Sequence, residues 1–380
     1  MIEAARAVVR RLMPDLWALL EEWVSIDSYT ADHAGCNRMF DSLVAAFRMP
    51  EVASYGFDGD GAGRHLVVQT RAAPGTLLVG HHDTVYPPGS FSGFRRDDTR
   101  VYGPGVLDMK GGLAVIWCAL QALSDIGALE QLPVTVISIS DEETGSVDGR
   151  RIIEAQAKGA TAGLVFEAGR TTDAIVTRRK GTGKLVVTAR GKAAHAGNDL
   201  ANGINAIWAL SQFIDRAHAL QLEHGATLNV GLVSGGTAAN TVPAEARCEI
   251  DLRIVRAADG DRLLTELDHV AREVGERTGA RFTLEGGIRR QPLERIAGTD
   301  AIFARYAAAA RAEGLGADEA PLVGGGSDAN TLAALGVPAI DALGPRGRFF
   351  HTPDEYAEIA TFEPRVMALV RYLATPLVTR

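Results

Sequence analysis

The sequence predicts an α/β protein with a mostly parallel sheet and a smaller domain inserted into it, and three observations carry that expectation. Short apolar, β-branched runs each end in a cluster of acids or imidazoles. A long apolar segment of helical length separates two of these runs. From about residue 180 the pattern changes to βαββαβ, a unit able to hold its own core, before polar motifs resume towards the C-terminus.

Taken in order, the stretch from Met1 to Ser28 scatters charges through an amphipathic pattern, which predicts a surface helix and not a signal peptide. Thr76–Gly80, Leu132–Ser140 and Gly163–Phe166 have the composition of strands buried on both faces. Between the first two, Gly111–Leu123 is long and apolar enough for a buried helix. In such sheets ligands gather at the carboxyl ends of the strands, and His81-His82-Asp83, Asp141-Glu142-Glu143 and Glu167 each follow a strand directly. Lys184–Arg190, Thr227–Val233, Arg247–Val255 and Arg281–Glu285 then read as strands, and Ala201–His218 and Asp261–Thr278 as helices. This later segment shows no dense cluster of metal-type residues. The expected organisation is a discontinuous domain of residues 1–179 and 293–380 around an inserted domain of residues 180–292.

Composition excludes several function classes. With 380 residues and 46% hydrophobic content the chain can bury two cores. Lys and Arg number 39 against 47 Asp and Glu, and the net charge of −8 disfavours nucleic acid or an anionic membrane as partner. Cys36, Cys118 and Cys248 are far apart with no CxxC pair, so neither a disulfide framework nor a thiolate metal site is expected, and a reducing cytoplasm suits them. The longest apolar stretches, such as Leu113–Leu120, fall far short of the roughly 20 residues that cross a bilayer.

The strand-end residues have chemistry in common. His81 and Asp83 are two apart and leave one face of the chain, while His82 between them points away. That spacing suits a metal-ligating imidazole whose second nitrogen is held by a carboxylate, or a plain polar pair in a loop. Asp108, in Gly103-Pro-Gly-Val-Leu-Asp-Met-Lys-Gly-Gly112, precedes the buried helix and could cap it. Three consecutive carboxylates at 141–143 repel one another and read either as a solvated turn or as a cation site. Glu167 and His351 are ambiguous singly.

Together the motifs GHHDTV, GPGVLDMKGG, DEETGS, FEAG, GKAAHAG, GGGSDAN and HTPDEY, in this order, resemble the glutamate carboxypeptidase branch of the M20 metallopeptidase family over nearly the whole chain. The resemblance implies a zinc-exopeptidase-like catalytic domain, with the inserted ferredoxin-like domain serving as lid and dimerisation surface. It implies two zinc ions per chain, with cobalt or manganese as possible substitutes. His81 and Glu167 would ligate one, Glu143 and His351 the other, and Asp108 both. Two divalent cations (+4) against three carboxylates (−3) would leave +1, a site attractive to an anion. Asp83 would steady His81, and Glu142 would act as general base, taking a proton from the attacking water and returning it to the leaving nitrogen. His195 matches the donor to the developing oxyanion. Arg253 and Asn240 match positions that hold a substrate carboxylate, and the Gly324–Asn330 loop, through Gly325, could offer backbone N–H groups to an anion. Glu at 167 favours carboxypeptidases and deacylases over aminopeptidases in such a comparison. The expected substrate is a small peptide or N-acyl amino acid with a free carboxylate. A narrow biosynthetic deacylase of N-acetyl or N-succinyl amino acids, and a catalytically silent binding protein, are the alternatives.

Overall fold

In the computed structural model, which describes residues 1–375, the chain divides into two compact units. The first comprises Met1–Arg178, Arg295–Val323 and the chain from Ser327 onward, and the second Arg179–Glu294 with Gly324–Gly326.

The first unit is built on a six-stranded sheet in the order Val52–Phe57, His65–Thr70, Val134–Ile139, Thr76–His81, Ala162–Val165, Ala339–Ile340. The last four strands run parallel, and the first two are antiparallel additions at one edge that the sequence reading did not anticipate. Every side chain of Thr76–His81 and of Val134–Ile139 is buried, as strands covered on both faces require. Leu78, Val134, Val136 and Leu164 share one core with Leu16, Leu20, Leu113 and Val366 from the helices Ile2–Ser25, Lys110–Asp125 and Phe362–Ala374. The alternate positions face helices Gly149–Ala157 and Asp328–Ala334, since a Cβ at Gly149 would meet Ile139 at 2.9 Å and one at Gly163 would meet Leu332 at 2.5 Å. Helix Lys110–Asp125 approaches the sheet so closely that a Cβ at Gly112 would lie 2.1 Å from the Phe166 carbonyl oxygen.

Register fixes what meets at the sheet's carboxyl edge. His81 pairs with Ile139 and Val79 with Val165, so the chain leaves three neighbouring strands at 82, 140 and 166 on one rim. A small antiparallel sheet of Gly347–Arg348, Tyr356–Glu358, Arg100–Tyr102 and Arg95–Arg96 joins the C-terminal segment carrying His351 to the chain that leads into Asp108. Strands of two or three residues leave no periodicity, and this sheet has no sequence signature.

The second unit is a four-stranded antiparallel sheet in the order Arg281–Arg290, Gly181–Arg190, Glu245–Ile254, Thr227–Gly235. Inward side chains such as Val187, Cys248, Ile250 and Leu252 pack on Leu210, Phe213, Leu267 and Val274 from helices Ala206–His218 and Ala257–Thr278. The first helix begins five residues later than the sequence suggests, because Asn205 caps it by accepting the Trp208 N–H.

Candidate active site

The strand ends bring His81, Asp108, Glu142, Glu143, Glu167 and His351 together in the first unit. Ligand-type atoms of His81, Asp108 and Glu143 lie within 4.8 Å of one another, as do those of His81, Glu142 and Glu167. His81 is buried, with Nε2 3.3 Å from Asp108 Oδ1 and 3.8 Å from Glu167 Oε2. His351 Nε2 lies 3.3 Å from the other Asp108 oxygen, Oδ2, and 3.1 Å from Glu143 Oε2. The two oxygens of one carboxylate therefore face two different imidazoles, which is the arrangement a bridging ligand needs.

Asp83 stands behind His81. The His81 Nδ1 is 3.1 Å from the Asp83 carbonyl oxygen and 3.3 Å from Oδ1, so the ring is held from the side away from the cluster. The Asp83 carboxylate also accepts the N–H groups of Glu142 and Glu143, each at 3.2 Å, and the Thr30 hydroxyl at 2.7 Å. His82 turns the other way, with Nδ1 2.9 Å from Ser138 Oγ, and burial pushes its pKa down to about 3.

Two bland readings of these motifs are corrected by the geometry. Asp108 does not cap the buried helix: Met109 occupies the N-cap, with no side-chain hydrogen bond. Nor is 141–143 a solvated turn, since Asp141 turns inward and accepts the N–H of Asp148 at 2.7 Å and of Gly149 at 3.1 Å. It anchors the turn and leaves Glu142 and Glu143 to face the cluster.

The electrostatics show a site short of positive charge. Burial pushes Glu143 up to about 7, and burial followed by the Asp108 charge pushes Glu167 up to about 8. Burial opposes a charge on Asp108 as well, but hydrogen bonds from His351 and His81 hold its carboxyl well below the usual range. His351 is raised to about 10 by Asp108 and then Glu143, and His81 is raised despite its burial by Asp108, Asp83 and Glu167. Glu143 Oε1 is buried with no hydrogen-bond partner. An orphaned carboxylate oxygen among imidazole nitrogens and further carboxylates is a donor set that fits divalent cations taking nitrogen and oxygen ligands.

The remaining expected residues lie in the second unit, apart from the rest of the glycine-rich loop. His195 Nδ1 accepts the N–H groups of Gly197 at 3.2 Å and Asn198 at 3.1 Å, which leaves Nε2 as the protonated, donating nitrogen. Asn240 is exposed, and its carbonyl accepts the N–H of Ala196, the neighbour of His195. Arg253 is held by Asp251 through two bonds, Nε to Oδ1 at 2.8 Å and Nη2 to Oδ2 at 3.0 Å. It lines a cavity of about 390 Å³ with Lys184, Leu232 and Arg289. Arg289 went unassigned in the sequence because nothing in its spacing marks it. The Gly325 carbonyl accepts from Arg179 at 3.2 Å. At the short helix that follows, the Ala329 N–H is already taken by Ser327 Oγ.

The second unit also gathers Glu223, His224 and Asp259, contrary to the expectation that it holds no metal-type cluster. Folding joins residues 35 apart, His224 Nδ1 lying 2.8 Å from Asp259 Oδ2. The group is largely exposed, and Arg262 engages Glu223 at 2.9 Å.

Comparison with known proteins finds similarity along most of the chain. The profile of Peptidase family M20/M25/M40 matches residues 77–375. The chain is 29% identical to carboxypeptidase G2 of Pseudomonas sp. (strain RS-16) over 95% of its own length and 89% of that protein. It is 28% identical to the acetylornithine deacetylase of Myxococcus xanthus, over 79% and 77% of the two chains. In fold it is similar to the aminopeptidase PepT of Bacillus cereus ATCC 10987, with a TM-score of 0.77, 23% identity, and coverage of 95% of this chain and 98% of that one.

Proposed function

We propose, from the premise that this chain belongs to peptidase family M20/M25/M40 and is a metallopeptidase-type hydrolase, that it cleaves an amide or peptide bond next to a free carboxylate with two bound metal ions. The observation that carries the dinuclear reading is the placement of Asp108, whose two oxygens each lie 3.3 Å from a different imidazole. On this reading His81 and Glu167 hold one ion, Glu143 and His351 the other, and Asp108 both, zinc being the metal that nitrogen and oxygen donors without thiolate suit. Bound there, the ions would supply Lewis acidity for a scissile carbonyl and an attacking water.

The chain's own groups do the rest. Glu142 takes the proton of the attacking water and passes it to the leaving nitrogen. Asp83 holds both the His81 ring and the backbone of Glu142, so the base keeps its place relative to a ligand. His195, with Nε2 as donor, hydrogen-bonds the oxyanion as it forms. Arg253 and Arg289, in one cleft, receive the substrate carboxylate, with Asn240 and the Gly325 loop as further contacts. Carboxypeptidase G2 supports a peptide or N-acyl amino acid as substrate, and the acetylornithine deacetylase supports a narrow deacylase as the second reading.

Homodimerisation through the second unit belongs to the same proposal. Its edge strand Thr227–Gly235 carries Leu232 and Val233, 63% and 62% exposed, and Trp208 is 52% exposed, apolar surface of the kind a partner covers. Among the described residues no helix is long and apolar enough to cross a membrane. A cytoplasmic, reducing location suits Cys36, Cys118 and Cys248, which are free and buried.

The test is a hydrolysis screen of peptidyl and N-acyl amino acids with zinc present, run with Glu142→Gln alongside. Release of an amino acid by wild type is expected, with turnover reduced roughly 100-fold or more in Glu142→Gln at unchanged metal content. No release from any carboxylate substrate would reject the reading, and loss of metal in Glu142→Gln would make Glu142 a ligand.

A further inference from the structure

Four residues beyond His351, Glu355 is fully buried, at 0% exposure, and no cation is hydrogen-bonded to it among the described residues, although the buried Lys110 ammonium lies near enough to feel its charge. Its carboxylate is held directly by four hydrogen-bond donors. Oε1 accepts the backbone N–H groups of Leu107 at 2.8 Å and Asp108 at 3.0 Å. Oε2 accepts the Tyr86 hydroxyl at 2.6 Å and the Gly105 N–H at 3.3 Å. The Tyr86 hydroxyl also lies 2.9 Å from the Thr352 carbonyl oxygen. Four donors on two oxygens are what an ionised, acceptor-only carboxylate accommodates.

These bonds join three segments of the chain: the one that continues from His81 and Asp83 to Tyr86, the loop that ends at Asp108, and the turn from His351 to Glu355. Gly105, Leu107 and Asp108 lie outside helix and strand, so their N–H groups have no ladder to enter and need an acceptor. An apolar side chain at 355 would fill the space and leave them unpaired. Burying a carboxylate here is costly, and what it secures is position. With its N–H fixed, Asp108 is two side-chain torsions from placing its oxygens between the two imidazoles. The same carboxylate, through Tyr86 and Thr352, fixes the turn that carries one of them.

We propose that Glu355, assisted by Tyr86, is a positioning residue that sets the separation of Asp108 and His351 and thereby the affinity of the metal pair. This rests on the metal-dependent reading above. The test is calorimetric titration of zinc into metal-stripped wild type, Glu355→Gln, Glu355→Ala and Tyr86→Phe, with Leu369→Ala as a core-destabilised control. Gln keeps the shape but turns one acceptor into a donor that faces other donors. Glu355→Gln is expected to keep a cooperative melt and to bind zinc about 10- to 100-fold more weakly, the loss typical of a residue that orients a ligand. Its kcat should fall with KM unmoved. Tyr86→Phe should lose less, and Leu369→Ala should bind as wild type. Where Glu355→Ala does not fold, the other two variants decide. Zinc affinity within about twofold of wild type in both, or a loss matched by Leu369→Ala at equal loss of Tm, would overturn the inference and leave the proposed function standing. Wild type that binds no zinc would overturn both.

Discussion

Asp83 Oδ1 accepts the backbone N–H of Glu142 at 3.2 Å, and the same oxygen lies 3.3 Å from His81 Nδ1. One buried acid thus couples an imidazole at the end of one strand to the turn that follows its neighbour. Asp83→Asn keeps the size but offers one acceptor where the native carboxylate uses both oxygens. It is expected to reduce kcat and zinc affinity together by about 10- to 100-fold. Steady-state kinetics beside zinc titration check this. A fall in kcat at unchanged affinity would mean that Asp83 serves the turn alone.

In the metal-free protein, the contribution of Glu143, Glu167 and His351 to stability should fall as pH rises. Glu143 and Glu167 move from an ordinary 4.5 to about 7 and about 8, and His351 moves from 6.5 to about 10. Each pKa is raised in the folded state, so each contribution is fully present below the unfolded value and is lost as pH climbs through the folded one. Asp108 is shifted the other way, and its contribution is lost only in acid, below about pH 4. Zinc competes with these protons for the same atoms. The gain in Tm on adding zinc should therefore be larger at about pH 8.5 than at about pH 6. Melting curves of stripped and loaded protein at both values give the answer, and a gain that stays level or shrinks would contradict the picture of a proton-filled acid cluster.

Much of this framework can be read from the sequence because each strand that points at the site is an apolar run followed at once by a polar cluster. His81, Glu142, Glu143 and Glu167 all have that form, and parallel pairing brings such ends to one rim. Position 355 has no such form. Its partners, Leu107 and Asp108, are 248 and 247 residues away and contribute only backbone N–H groups, which every residue type has. Asp141 is hidden for a related reason: beside two acids of the cluster it looks like a third, and only the N–H groups of Asp148 and Gly149 reveal it as an anchor. Val52–Phe57 escaped because its alternation is weak, with four of its six residues exposed.

Arg253 should distinguish substrates by charge. Its guanidinium is held by Asp251, at 2.8 and 3.0 Å, in a partly exposed pair that a substrate carboxylate can replace at small cost. Arg253→Ala is expected to weaken binding of a carboxylate substrate by about 1.5–3 kcal/mol and its amide analogue much less. Asp251→Asn, which frees the guanidinium, should shift KM for the carboxylate substrate the opposite way. Equal losses on both substrates in Arg253→Ala would assign the residue to the strand's surface and the carboxylate to Arg289.

The last prediction concerns where His195 acts. Both N–H groups that face its Nδ1 come from its own loop, so its donating Nε2 is prepared before any substrate arrives. If the second unit pairs two chains about a two-fold axis and His195 serves the partner's site, the exchange is reciprocal. His195→Ala and Glu142→Ala then each retain what the other lacks. In a mixed dimer one site has an intact Glu142 and receives an intact His195 from its neighbour, while the other site lacks both. Random exchange makes about half of the dimers mixed, with one of two sites whole in each, so activity should recover to roughly a quarter of wild type. Exchange can be followed independently with differently tagged chains. If His195 acts within its own chain, no site in the mixture is complete, and activity stays at the level of the separate variants. That result would reject delivery across the dimer and leave the chemistry at His81, Asp108 and Glu142 untouched.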